Sequence, residues 1–165
     1  MPTGPAARVT DNVVHPLPPV LSPGPGSPDV LIGFLPAWRG VPAASAGALQ
    51  AAKQISDGII QVAQAATLAA AGPAMPAAKA AEEATKAPCA AQMSSTVSSA
   101  AGGADIHVCA TPLPIPPHGP GVVIDGSATV LINNLPACRL GDTVLEALGP
   151  PNKIAKGEMT VIIGG

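Results

Sequence analysis

The chain has 165 residues, of which 47% are apolar but only 1% aromatic, with one Phe, one Trp and no Tyr. Conventional cores rely on large aromatic side chains, so this chain must pack Val, Ile, Leu and Ala in thin layers punctuated by 21 Pro and 18 Gly. Charged residues amount to 11% with a net charge of −2, which leaves no basic field for nucleic acid or anionic lipid. The start of the sequence lacks a basic stretch followed by an apolar run, so no secretory signal is predicted, and three cysteines do not make a disulfide framework.

In chain order, the first element is Pro5-Ala6-Ala7-Arg8-Val9-Thr10-Asp11-Asn12-Val13. It matches Pro136-Ala137-Cys138-Arg139-Leu140-Gly141-Asp142-Thr143-Val144 at five of nine positions. Residues 26–39, Gly-Ser-Pro-Asp-Val-Leu-Ile-Gly-Phe-Leu-Pro-Ala-Trp-Arg, return at 126–139 with nine of fourteen positions identical. A third copy, partial, closes the sequence at Gly157-Glu158-Met159-Thr160-Val161-Ile162-Ile163-Gly164. One copy of a short β unit is thus split between the two ends, which predicts a mainly β fold that closes on itself with pseudo-three-fold repeats. Each unit reads as a turn and a β-branched run. Gly33 in one copy and Asn133-Asn134 in the other favour positive φ, which predicts a tight hairpin after the run. Pro36 and Pro136 place the return strands at edges or bulges.

Residues 41–103 form a different, Ala-rich segment. Leu49, Ala52, Ile55, Ile59, Val62 and Ala66 recur at helical spacing, so a helix capped by Ser45 is predicted over 45–72, stopped by Gly72-Pro73. A second helix is predicted over 76–86, with 94–103 as a flexible return. Lys53, Gln54, Asp57, Gln61 and Gln64 make the segment too polar to span a bilayer. We read it as an inserted helical hairpin on the β body, with a docking surface for cargo, an adaptor or a chaperone as the competing reading. The domain division is therefore a discontinuous β body, 1–40 and 104–165, and the insertion 41–103.

The chemistry-bearing residues are His15, His107, Cys109 and His118. In a fold with three-fold character, loops at equivalent positions converge at one end, and three imidazoles with a thiolate there suit a closed, structural Zn²⁺ site. Against this stands the plain reading of loop histidines and a buried cysteine, and Cys138 competes for the thiolate. Cys138 also occupies the place of Ala7 and Trp38, a packing position. Cys109 with His107 or His118 is the only plausible nucleophile–base pair, and no Gly-x-Ser-x-Gly elbow or phosphate loop is present. A non-enzymatic protein is expected, with a small zinc- or Cys/His-dependent hydrolase as the alternative.

At these residues the chain resembles the PAAR-repeat family: Pro-Ala-Ala-Arg stands verbatim at Pro5-Ala6-Ala7-Arg8 and in variant form at Pro36-Ala37-Trp38-Arg39 and Pro136-Ala137-Cys138-Arg139. The resemblance covers about residues 5–40 and 104–165 and leaves out the insertion. It implies a small β cone capping a trimeric VgrG-type spike of a type VI secretion system or related contractile injection machine, one chain per trimer. It further implies one zinc near the tip, held by His15, His107 and His118 with Cys109 as thiolate. Many members carry a Cys shortly after the last Gly-Asp; here Gly141-Asp142 is followed by Thr-Val-Leu-Glu-Ala. Such a protein is expected to assemble in the cytoplasm, to touch the target membrane only transiently and to leave with the machine without a signal peptide. The sequence stops directly after the third β unit, so no fused toxin domain is expected, and cargo would be carried through the insertion.

Overall fold

The computed structural model describes residues 2–14, 20–109 and 118–165. In chain order the elements are β1 (Gly4–Ala6), β2 (Pro23–Gly24), β3 (Leu31–Ile32), β4 (Leu35–Pro36), α1 (Ala43–Ala69), α2 (Met75–Ala100), β5 (Ile106–Cys109), β6 (Gly119–Val123), β7 (Leu131–Ile132), β8 (Leu135–Pro136), β9 (Thr143–Glu146), β10 (Asn152–Lys153) and β11 (Glu158–Ile163). The expectation of a mainly β chain is corrected: α1 and α2 hold 27 and 26 residues, whereas the longest strand among the described residues has six. The chain is mixed α and β because the insertion is helical almost throughout.

The repeated runs form matching hairpins. β3 pairs with β4 and β7 with β8 in the same register, Leu31 with Pro36 and Leu131 with Pro136. Their turns are Gly33-Phe34 (φ 54° and 67°) and Asn133-Asn134 (φ 52° and 63°), the double positive φ that matches strand twist in a two-residue hairpin. β11 pairs with β1, which bulges between Pro5 and Ala6, so each proline of this set sits at a bulge or in a two-stranded ribbon, where its missing N–H is harmless.

The Pro-Ala-x-Arg segments of the three units are laced in two closed rings. Ala7 N–H donates to Cys138 O (2.9 Å), Cys138 N–H to Trp38 O (3.1 Å) and Trp38 N–H to Ala7 O (2.9 Å). Val9 N–H donates to Pro36 O, Gly40 N–H to Pro136 O and Leu140 N–H to Pro5 O, at 2.8–2.9 Å. Ala6, Ala37, Ala137, Ile32, Ile132 and Ile163 form one apolar cluster, and Ala7, Trp38 and Cys138 join Val13, Leu21, Val123, Val144 and Ile154 in a second. Cys138 is thus a packing residue, where the repeat alignment places it. Each unit also buries an Arg–Asp pair: Arg8–Asp11, Arg39–Asp105 and Arg139–Asp142. Two of the pairs are three residues apart; the other is split by the whole insertion.

α1 and α2 form an antiparallel hairpin. Ala46 and Leu49 near the start of α1 share a cluster with Met93, Val97 and Ala101 near the end of α2, and Thr67 Oγ donates to Ala78 O at the far end (3.2 Å). α1 starts at Ala43 behind Pro42, without a side-chain cap, so Ser45 is not the cap. It stops at Ala69, ahead of Gly72-Pro73. α2 runs unbroken to Ala100, which corrects the flexible return over 94–103: Met93 and Val97 are buried at the hairpin root and hold that stretch helical. The same cluster includes Val122, Leu135, Leu145 and Ala147, so the root of the insertion and the β body share a core. Among the described residues no helix is long and apolar enough to cross a membrane.

β5, β6 and β9 are the centre of a five-stranded antiparallel sheet ordered β10-β9-β6-β5-β2. β5 and β9 each leave the Arg–Asp layer, at Asp105 and Asp142, and end at Cys109 and Glu146. At about 3.3 Å per residue, the far ends lie roughly 13 Å from those aspartates.

Candidate metal centre

The sheet register builds this site. His107 stands opposite Gly121, and Gly121 opposite Glu146; alternation along β5 puts Cys109 on the same face as His107. A side chain on the middle strand would separate the two polar groups. Gly121 has none, and a Cβ there would fall 2.7 Å from Glu146 Cγ. His107 Nε2 therefore reaches Glu146 Oε1 across β6 at 3.2 Å. On the other carboxylate oxygen, Oε2, lie His118 Nδ1 (2.8 Å) and Asn152 Nδ2 (2.6 Å). His107, Cys109 and Glu146 are buried and His118 is half-buried.

A carboxylate taken out of water must be matched by donors or cations; here His118 Nδ1 and the Asn152 amide can donate to it, whereas His107, whose Nδ1 faces a carbonyl, donates from Nε2 only as an imidazolium. His107 Nδ1 lies 3.0 Å from Val20 O. A carbonyl only accepts, so Nδ1 carries the proton and Nε2 faces Glu146. That second-site hydrogen bond to a backbone carbonyl is the usual support of a metal-ligating histidine. One ligand atom each from Cys109, His118 and Glu146 lie within 4.8 Å of one another, a spread compatible with a single ion between thiolate, imidazole and carboxylate.

The structure brings Cys109 and His118 together with Glu146, and His107 to the other oxygen of the same carboxylate. His15 lies outside the described residues. Cys138 is elsewhere, fully buried beside Trp38, and its thiol is pushed well above the ordinary value by desolvation and then by the negative fields of Asp142, Asp105 and Asp125; a thiolate is disfavoured there. Glu146 was missed by sequence reasoning. Its signal is a lone carboxylate in the apolar run Val144-Leu145-Glu146-Ala147, inside the segment that departs from the resembled pattern.

Residues 113–165 match the PAAR motif. The chain carries a PAAR motif. No curated protein and no solved structure matches it. The matched PAAR segment contains His118, Glu146, Gly121 and the Pro136-Ala137-Cys138-Arg139 unit, whereas His107 and Cys109 come from the strand that precedes it. The other two Pro-Ala-x-Arg units lie outside the match and are joined to it by the two hydrogen-bond rings. The PAAR segment and the remainder of the β part are one packed unit with a metal-capable cluster.

Gly121→Ala is expected to expel Glu146 from its place between the imidazoles. Overpacking of this kind costs about 1–3 kcal/mol, and thermal melts with and without added zinc would show both a lower midpoint and a smaller zinc-induced rise than wild type.

Proposed function

We propose that this chain is a non-enzymatic tip protein that caps a trimeric VgrG-like spike of a contractile injection machine, one chain per trimer. The observation that carries the reading is the triple equivalence of the β part. Ile32, Ile132 and Ile163 hold equivalent positions and are 7%, 8% and 6% exposed, while their neighbours Leu31, Leu131 and Ile162 are 61%, 57% and 61% exposed. Burial and exposure therefore alternate alike in the three units, which supports reading the β part as a pseudo-three-fold body that one chain would present to three identical spike chains. Phe34 adds an aromatic, 95% exposed at positive φ on a hairpin tip, and Met159 extends the apolar surface. We read these exposed apolar side chains as a contact surface. The edges of β3, β7 and β11 supply backbone groups for strand addition.

The metal reading fits the same scheme. Cys109, His118 and Glu146 would hold one structural Zn²⁺, with His107 facing Glu146 and His15 as a further ligand by resemblance. The ion would supply a cross-link between β5, β6 and β9, and its binding energy would become folding energy at a point where the core has few large side chains. The root of α1 and α2 seats the insertion on the β part, and the remainder of the hairpin is the surface for an effector or adaptor. The protein would be assembled in the cytoplasm and ejected with the spike.

The test is co-purification with a trimeric VgrG-like spike protein. Wild-type protein should be recovered at one chain per three spike chains. Leu131→Asp combined with Ile162→Asp should weaken docking at least 30-fold, the loss of a central contact worth about 2 kcal/mol or more, while zinc content is unchanged. Undiminished binding by the double variant would overturn the docking face.

A further inference from the structure

Lys53 is the odd residue of the helical root. It is an ammonium only 4% exposed, with desolvation against it. It pairs with Asp57 one turn along the same helix, a contact that any surface Lys–Asp pair could make without burial. Its second acceptor is different: Lys53 Nζ donates to Gly149 O at 2.9 Å, across 96 residues of sequence. Gly149 has φ +77°, and a Cβ on it would lie 3.0–3.2 Å from Nε2, Cδ2 and Cε1 of His118, so the bare glycine backbone lies flat on the imidazole. Leu148 N–H donates to His118 O (2.9 Å), and the ring passes the contact to Glu146 through Nδ1. His118, Leu148, Gly149 and Asp57, with Lys86 and Gln61, border a cleft of about 540 Å³.

We propose that Lys53 is a positioning residue for the metal centre: it pins the 148–150 turn against His118, so that seating the helical hairpin and binding the ion stabilise each other. This rests on the metal reading above. Coupling of this kind is reciprocal: a seated hairpin slows loss of the ion, and the ion slows opening of the hairpin root. The insertion is then not a passive passenger, since its first turns report on and reinforce the centre.

The experiment uses the full chain loaded with zinc and follows chelator-driven release. Supporting groups around metal ligands change affinity by about 10–100-fold, so Lys53→Met and Gly149→Ala should each release zinc about tenfold faster or more. Leu49→Ala, which loosens the same helical root but touches neither Gly149 nor His118, should speed release through hairpin seating alone and so by clearly less than either. Zinc should also slow amide exchange over residues 53–57 in wild type and not in Lys53→Met. If Lys53→Met does not fold, Lys53→Gln, which removes the charge and shortens the reach to Gly149 O, takes its place. Wild-type release rates in the variants, or equal acceleration in Leu49→Ala, overturn the clamp while leaving the metal reading intact. A wild-type chain that takes up no zinc overturns both.

Discussion

Asp105→Ala is expected to be the most damaging single substitution in the β part, with a loss of about 3–5 kcal/mol, the range for stripping one partner from a buried ion pair. Asp105 is completely buried and accepts from Arg39 N (2.7 Å), Nε (3.1 Å) and Nη2 (2.8 Å) and from Gly26 N (2.8 Å). Its removal strands a buried guanidinium whose charged form Asp105 favours, and leaves two backbone N–H groups without their acceptor. Total stabilities are about 5–15 kcal/mol, so the variant would retain at best a thin margin. For a chain of this size the melting midpoint should fall by roughly 10 °C or more. Asp11→Ala and Asp142→Ala should be milder, because each carboxylate holds only its own arginine segment, whereas Asp105 also holds Gly26 N, and because Arg8 keeps a charged acceptor in Glu158 and Arg139 keeps the carbonyls of Pro2, Asp125 and Gly165. Asp105→Asn keeps the shape without the charge and should fall between. Equal midpoints for the three alanine variants would mean that Asp105 has no special place.

The second large effect is expected at the metal centre. Purified protein should hold about one zinc per chain by elemental analysis. An ion that binds only the folded state stabilises by about 4 kcal/mol when present at a thousand times its dissociation constant, so chelation should lower the midpoint by roughly 10 °C. His118→Ala should abolish most of the zinc-dependent part and Cys138→Ala none of it, although the latter opens a cavity in the core and lowers the zinc-free midpoint as well. Because thiolate, imidazole and carboxylate must shed protons to ligate, zinc affinity should fall as pH is lowered and loading should release protons. A zinc-free chain with a midpoint indifferent to chelators, or His118→Ala loading like wild type, would sink this assignment.

The repeat could be read from the sequence because its period is carried by local rules: Asn133-Asn134 and Gly33 announce the hairpin turns, and the Pro-Ala-x-Arg segments announce the rings. The share of helix could not be weighed in the same way. Ser94, Ser95, Thr96, Ser98 and Ser99 have weak helical preference, and their helix is held by Met93 and Val97 buried against the β part, a tertiary effect that propensity does not contain. At the site, His107, Cys109 and His118 stood out as scarce residue types. Glu146 did not, because its importance comes from the register that sets it across a glycine from His107, and pairing between distant strands is invisible in a single chain. Lys53 was equally hidden, reading as one of several polar interruptions of an apolar helix face.

The Arg39–Asp105 pair has a meaning for how the molecule comes together. Asp105 N–H also donates to Arg39 O (3.0 Å), so two residues 66 positions apart end as backbone neighbours. Closing such a loop from a flexible coil carries a long-range entropic penalty that rises only with the logarithm of length, yet it must be met before any contact repays it. The α1–α2 hairpin is built from contacts nearer in sequence, and once formed it delivers residues 43 and 100 side by side, leaving only a few residues at either end to join. Seen in time rather than in space, the insertion serves as a splint that brings the two halves of the β part together.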